Sequence, residues 1–297
     1  MESYIAVRAH GLKSRLLKRQ DYEAILSGEK KLYELRDYAL ISDRDSLEEA
    51  LEKIYRVYVQ RIETLAKPDR VLGQFAYALL DRLEVENAKI HLRYIRGAQR
   101  PVIYYPYGRH IGPARLSQIR TEGGLWEELS KTPLQAPSTP SFSSGLEAER
   151  EALLELLYYK YLLNMLKELP VNKEEKEDLE ALIREEASLK MVVWSRTLSQ
   201  SIVEKLAQGY LKGYGIMSPQ LPEEWSSMKL TELLLHVQRT VISRAEQLAM
   251  KHSLDIAYIY YFNHLALAEA NNLERILLGK EIRLPEEVIQ RNLVIVV

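Results

Sequence analysis

The sequence predicts an all-α chain built from three similar helical modules. Three observations carry that prediction. Apolar residues recur at three- and four-residue steps over most of the chain, and alternating strand patterns are nearly absent before the apolar tail LVIVV at 293–297. Capping and stop residues cut these stretches into helix pairs. One ending then recurs at intervals near a third of the 297 residues: Glu84 with Asn87 in EVENAKIH, Glu185 with Ser188 in EEASLKMV, and Glu269 with Asn272 in EANNLERI. A supersecondary unit repeated at fixed spacing predicts stacked helical modules. Their expected extents are 1–110, 111–208 and 209–297.

Composition narrows the class. With 46% hydrophobic residues, 28% charged residues and a formal net charge of −1, the chain is an ordinary folding mixture. Its length is near the limit for one core, which favours two or three modules. The balance of charge carries no sign of a nucleic-acid partner. The absence of cysteine excludes disulfides, thiolate metal sites and cysteine nucleophiles. Arg8, His10, Lys13 and Arg15 interrupt any signal core, and the longest uncharged part of the apolar helix at 253–279, residues 256–268, is too short to cross a bilayer. The expectation is a soluble cytoplasmic protein without a membrane span.

Residues 1–10 offer no clear cap. Asp21 and Gly28 bracket a short helix bearing Tyr22, Ile25 and Leu26. Ser46 and Glu49 form a capping box before a helix with one apolar face: Leu47, Leu51, Ile54, Tyr58, Ile62 and Leu65. Pro68 ends it, and Asp69 opens the next helix through Phe75, Leu79, Leu80 and Leu83 to the first repeat ending, with Gly97 as its stop. Residues 98–125, with Pro101, Pro106, Gly108, Gly112 and Pro113, read as irregular, and KTPLQAPSTPSFSSG at 131–145 as a linker. Helix signal returns at 146–169 and stops at Pro170. A capping box of Asn172 and Glu175 starts the helix to the second ending, and helical signal runs on to about Leu206. After a loop at 209–218 and a linker from Pro219 to Trp225, the helix at 233–249 parallels the one at 51–66. The strongest apolar helix, 253–279, carries the third ending, and Pro285 starts a short last helix.

Candidate chemistry is sparse. The chain has no glycine-rich phosphate loop, no HExxH or ExxH and no nucleophile elbow. No cofactor or metal is expected, and the six scattered histidines read as structural. The acid/Asn pairs sit three apart on one helix face. They read either as polar sites around a shared axis or, the favoured reading, as side-chain networks that join the modules. A second feature is the gap in acids between Glu86 and Glu122, filled by Arg93, Arg96, Arg100, Arg109, Arg115 and Arg120 with interleaved tyrosines. Arg93, Arg96 and Arg100 are candidates for a surface that docks an acidic partner.

The opening YIAVRAHGLKSRLLKRQDYEAIL, the E-x-x-N endings at 84–88 and 269–273 and the closing EANNLERILLGKEIRLPEEVI resemble the C subunit of archaeal and bacterial V/A-type rotary ATPases, whose relative in the eukaryotic vacuolar enzyme is the d subunit. The middle module departs from the pattern: Ser188 stands where Asn is usual and Trp194 where a basic residue is common. The turn between modules is reduced to Thr132-Pro133. The resemblance implies a funnel of three modules with pseudo-threefold symmetry and no active site. It implies partners as well: the coiled-coil protein of the central stalk with its small companion, and the proteolipid rotor ring on whose cytoplasmic face this family sits. A stand-alone helical-repeat scaffold for another protein is the competing expectation.

Overall fold

The computed structural model describes residues 2–98, 102–216 and 222–295. The expected docking residue Arg100, Pro101, the first residues of the second linker (219–221) and the last two of the tail lie outside them. The regular structure of the described residues is all helical, with no strand. In chain order the helices are α1 (Glu2–Lys13), α2 (Arg19–Ser27), α3 (Leu47–Ala66), α4 (Leu72–Leu80), α5 (Arg82–Ile95), α6 (Pro113–Leu116), α7 (Glu122–Ser130), α8 (Glu147–Glu168), α9 (Lys173–Trp194), α10 (Gln200–Tyr210), α11 (Glu223–Ser226), α12 (Leu230–Lys251), α13 (Ile256–Glu281) and α14 (Glu286–Arg291). They group into two compact units, Met1–Ala76 with Gln238–Val297, and Tyr77–Val237.

The first unit is organised around α13. Its residues are apolar on nearly every side, and Tyr260, Tyr261, Phe262, Leu265, Ala270 and Leu273 are all buried. A helix that is hydrophobic all round belongs in the middle of a core. Helices α1 and α3 pack against it. α3 turns inward the face expected of it: Leu51, Ile54, Tyr58, Ile62 and Leu65 are buried, each large side chain contributing about 1.5–3 kcal/mol of transfer free energy. Ser46 and Glu49 form the expected capping box. Gly279 lets α14 lie close: a Cβ there would sit 2.6 Å from Ile289 Cγ1.

The second unit is organised around α8, where Leu153, Leu154, Leu156, Leu157, Tyr159, Leu163 and Leu166 are buried. Helices α5, α9 and α10 pack on it, and α5 also carries α6 and α7. Glycine ends α5 as expected, with Gly97 at φ 87°.

Several local expectations differ from the structure. The single helix expected from Asp69 through Leu83 is two, α4 and α5, which meet at Asp81, and the stretch 98–125 read as irregular contains α6 and the start of α7. Residues 2–13 form a helix despite lacking a cap, because Ile5, Ala6 and Ala9 are fully buried in the first unit and packing replaces the cap. Asp21 is not the cap of α2; it lies at the third helical position and accepts the Lys18 N–H at 3.0 Å. Asn172 caps α9 through the N–H of Glu174, not Glu175. The helical signal to Leu206 is two helices, broken at 195–199, where buried Leu198 turns the chain.

Candidate functional site

The two repeat endings that carry asparagine build the same device, one in each unit. In the second unit, Asp81, Glu84 and Asn87 follow one another at three-residue steps where α5 begins, so they share a face. The loop at 102–112 runs across that face. The Asn87 amide pairs with both backbone groups of one residue: Oδ1 accepts from Tyr105 N–H at 2.7 Å, and Nδ2 donates to Tyr105 O at 3.0 Å and Tyr107 O at 3.2 Å. One turn earlier, Glu84 Oε1 accepts the N–H groups of His110 and Ile111 at 2.6 and 3.2 Å. Burial and the Asp81 charge raise the Glu84 carboxyl above its ordinary range despite these bonds. Asp81 in turn accepts from the hydroxyls of Tyr107 and Tyr161 at 2.9 and 2.8 Å and from Arg109 at 2.6 Å. The loop can close this tightly because a Cβ on Gly108 would lie 2.2 Å from Gly112 Cα.

In the first unit, Asn272 on α13 pairs with Val294 in the same manner. Its Oδ1 accepts from Val294 N–H at 2.8 Å, and its Nδ2 donates to Val294 O at 2.9 Å. A side-chain amide has one acceptor and one donor edge, so it completes a backbone segment as a neighbouring strand would. Glu269, one turn earlier, accepts the Leu17 N–H at 2.5 Å through Oε2. Its Oε1 accepts from Tyr38 Oη and Arg61 Nη1, both at 2.6 Å. Arg61 also donates to Asp37 at 2.8 Å, and Arg15 pairs with the same carboxylate. Burial alone would raise the Asp37 carboxyl, but the two guanidiniums outweigh it and hold it below its usual range. Burial and the Glu269 charge push the Tyr22 and Tyr38 hydroxyls upward.

In the middle ending, Glu185 is exposed and Ser188 is half-buried. The buried acid of this turn is Glu186, which accepts from Tyr159 Oη at 3.0 Å. A loop about 30 residues further on is held by Arg184, whose Nε donates to Tyr214 O at 2.8 Å.

A second buried cluster stands on α8. The Glu155 carboxylate is 4% exposed and gathers Arg82, Lys89, Lys190 and the Trp194 indole N–H. Burial alone would raise this carboxyl, but Lys89, Arg82 and Lys190 overcome it and hold the group well below its ordinary value. Sequence reasoning did not single out Glu155, Asp81 or Arg61. All three are charged residues embedded in apolar helix faces, a pattern that marks a paired buried charge.

Two of the arginines expected at a docking surface, Arg93 and Arg96, are engaged within the second unit. Arg93 grips Glu151 through two bonds of 2.6 and 2.7 Å. Arg96 bonds Glu122 at 2.9 Å and the carbonyl of Gly145 at 2.8 Å.

Among the described residues, one group of ligand atoms lies close enough to hold a metal ion: Asp81, Glu84 and His110, within 4.8 Å of one another. Arg109 already supplies positive charge there, with Nη2 at 2.6 Å from Asp81 and Nε at 3.2 Å from His110 Nε2. The site therefore reads as a joint between α5, α8 and the loop, with its acids matched by protein donors.

His91 ties two further loop segments to α5. A carbonyl only accepts, so Nε2 donates to Ile119 O at 2.9 Å, and Nδ1 then accepts from Tyr104 Oη at 2.6 Å. Burial disfavours the charged ring and lowers its pKa from the ordinary value of 6.5. The unfolded chain takes up this proton more readily than the folded one. Its contribution to stability is whole above pH 6.5 and is lost as the pH falls below it. The thermal midpoint is expected to drop between pH 7.5 and 5, and His91→Gln to show a smaller drop; an undiminished slope in the variant removes His91 from this role.

No protein-family model matches the chain, and no curated protein matches it.

Proposed function

We propose that the chain is a non-catalytic central-stalk adaptor of a V/A-type ATP synthase or ATPase, similar to the C subunit of those enzymes. It links the stalk coiled coil, with its small companion, to the proteolipid rotor ring and transmits torque between ATP chemistry and ion translocation. One observation carries the reading. The E-x-x-N endings that give the sequence its resemblance build the same backbone clamp on α5 and on α13. A repeat retained in sequence and in hydrogen-bond geometry supports a protein assembled from like modules, arranged in this reading as a funnel with pseudo-threefold symmetry.

Torque transmission needs stiffness. Long helices with buried apolar faces, fastened by bidentate amide and carboxylate contacts, supply it. Among the described residues, no helix is long and apolar enough to cross a membrane, which suits a protein that meets the cytoplasmic face of the membrane only through the complex. Arg93, Arg96 and Arg100 belong in this reading to a surface facing an acidic neighbour.

Affinity-tagged protein purified from native membranes is expected to bring down the stalk and proteolipid proteins together. Recovery without either of them overturns the reading. Repeating the recovery with the three arginines changed to glutamate tests the docking surface, whose loss is expected to reduce assembly at least ten-fold.

A further inference from the structure

We infer that Asn272, with Arg239, forms a peptide-binding slot that reads backbone rather than sequence, and that segment 292–295 is its resident, exchangeable ligand. The chemical class of ligand is an extended apolar peptide.

The comparison of the two units carries this inference. Both clamps use one amide to take the N–H and C=O of a single residue, Tyr105 in one case and Val294 in the other. The residues held differ completely, an aromatic within IYYPY and an aliphatic within NLVI. What the clamps share is main chain, so the recognition is of backbone, as in the addition of a strand to a sheet edge. In the second unit the amide's segment and the carboxylate's segment belong to one loop, with Tyr105 close before His110 and Ile111. In the first unit the same two positions are filled by Val294 and by Leu17, which lie far apart in the chain. The amide on α13 thus holds 292–295 without the carboxylate, which is occupied by Leu17, Tyr38 and Arg61. Val294 and Ile295 line a small void with Leu16, Tyr22, Leu265 and Glu269. Leu293 and Val294 are 2% exposed each, and Arg239 Nη2 donates to Leu293 O at 2.9 Å. An empty slot strips the Asn272 amide of both Val294 bonds and leaves Oδ1 the 3.3 Å bond from Arg275, so the slot favours an occupant, and any extended apolar segment offers the same two groups.

The test uses the full chain with a protease recognition sequence inserted in the turn at 282–285. After folding, the turn is cut and the fragment beginning at α14 is followed by native mass spectrometry. The cut protein is expected to retain the fragment and to exchange it for a labelled synthetic peptide spanning 286–295. Asn272→Ala is expected to weaken retention at least ten-fold, by loss of two buried hydrogen bonds. Val294→Pro removes the N–H that Asn272 accepts and changes no residue of the slot itself. It is expected to weaken retention comparably, whereas Val294→Ile changes it little. Asn87→Ala, in the other unit, is expected to leave retention unchanged. Immediate loss of the fragment from the otherwise unaltered cut chain overturns the inference. So does retention that neither Asn272→Ala nor Val294→Pro reduces.

Discussion

Replacing Glu269 with alanine is expected to lower the stability of the first unit by about 3 kcal/mol, toward the low end of the cost of orphaning a buried ion. The carboxylate is 2% exposed and serves three donors at once: Leu17 N–H, Tyr38 Oη and Arg61. Its removal leaves all three buried without that acceptor. Asp37 still holds the other side of the Arg61 guanidinium, which keeps the cost from reaching the top of the range. Urea unfolding, followed by a probe in the first unit, measures it. The double variant Glu269→Leu with Arg61→Leu is expected to recover much of the loss, since removing both charges removes the unpaired ion. A single-variant loss under about 1 kcal/mol would mean that water replaces the carboxylate.

Glu155→Ala is expected to cost more, about 5 kcal/mol, in the second unit. Glu155 is the carboxylate between Arg82, Lys89 and Lys190, and without it these like charges face one another around a desolvated space. Glu86 meets Arg82 and Lys89 only from the half-exposed side. The same linkage sets the acid limit of the fold. Asp37 and Glu155 both have carboxyls depressed by cations, so the stability they supply is present above the ordinary carboxylate range and is lost as the pH falls through their lowered values. Acid titration of unfolding is expected to show the Glu155→Ala chain losing less stability below pH 4 than the parent.

The helices were legible because their signals are local. The capping box at Ser46, the stops at Gly28 and Gly97 and the apolar face of α3 depend on neighbours within one or two turns. Helix α1 was not legible, since its stability comes from buried Ile5, Ala6 and Ala9, a tertiary matter. The acid/Asn pairs were visible as a repeat, yet their partners were not. The residues that Asn87 and Asn272 hold are recognised by main chain, and main chain leaves no mark in a sequence. Arg61 and Glu155 did leave one, as charges inside leucine- and tyrosine-rich faces, but the pattern names no partner.

The carboxylate bonds of the two clamps also differ in when they can form. Glu84 reaches His110 across 26 residues, whereas Glu269 reaches Leu17 across 252. Closing the longer loop costs about 2 kcal/mol more chain entropy. During synthesis the whole of Tyr77–Val237 is made before α13. The second unit can therefore be complete while α1, α2 and α3 still wait for the helix that orders them, and for that interval their apolar faces depend on whatever covers an unfinished chain.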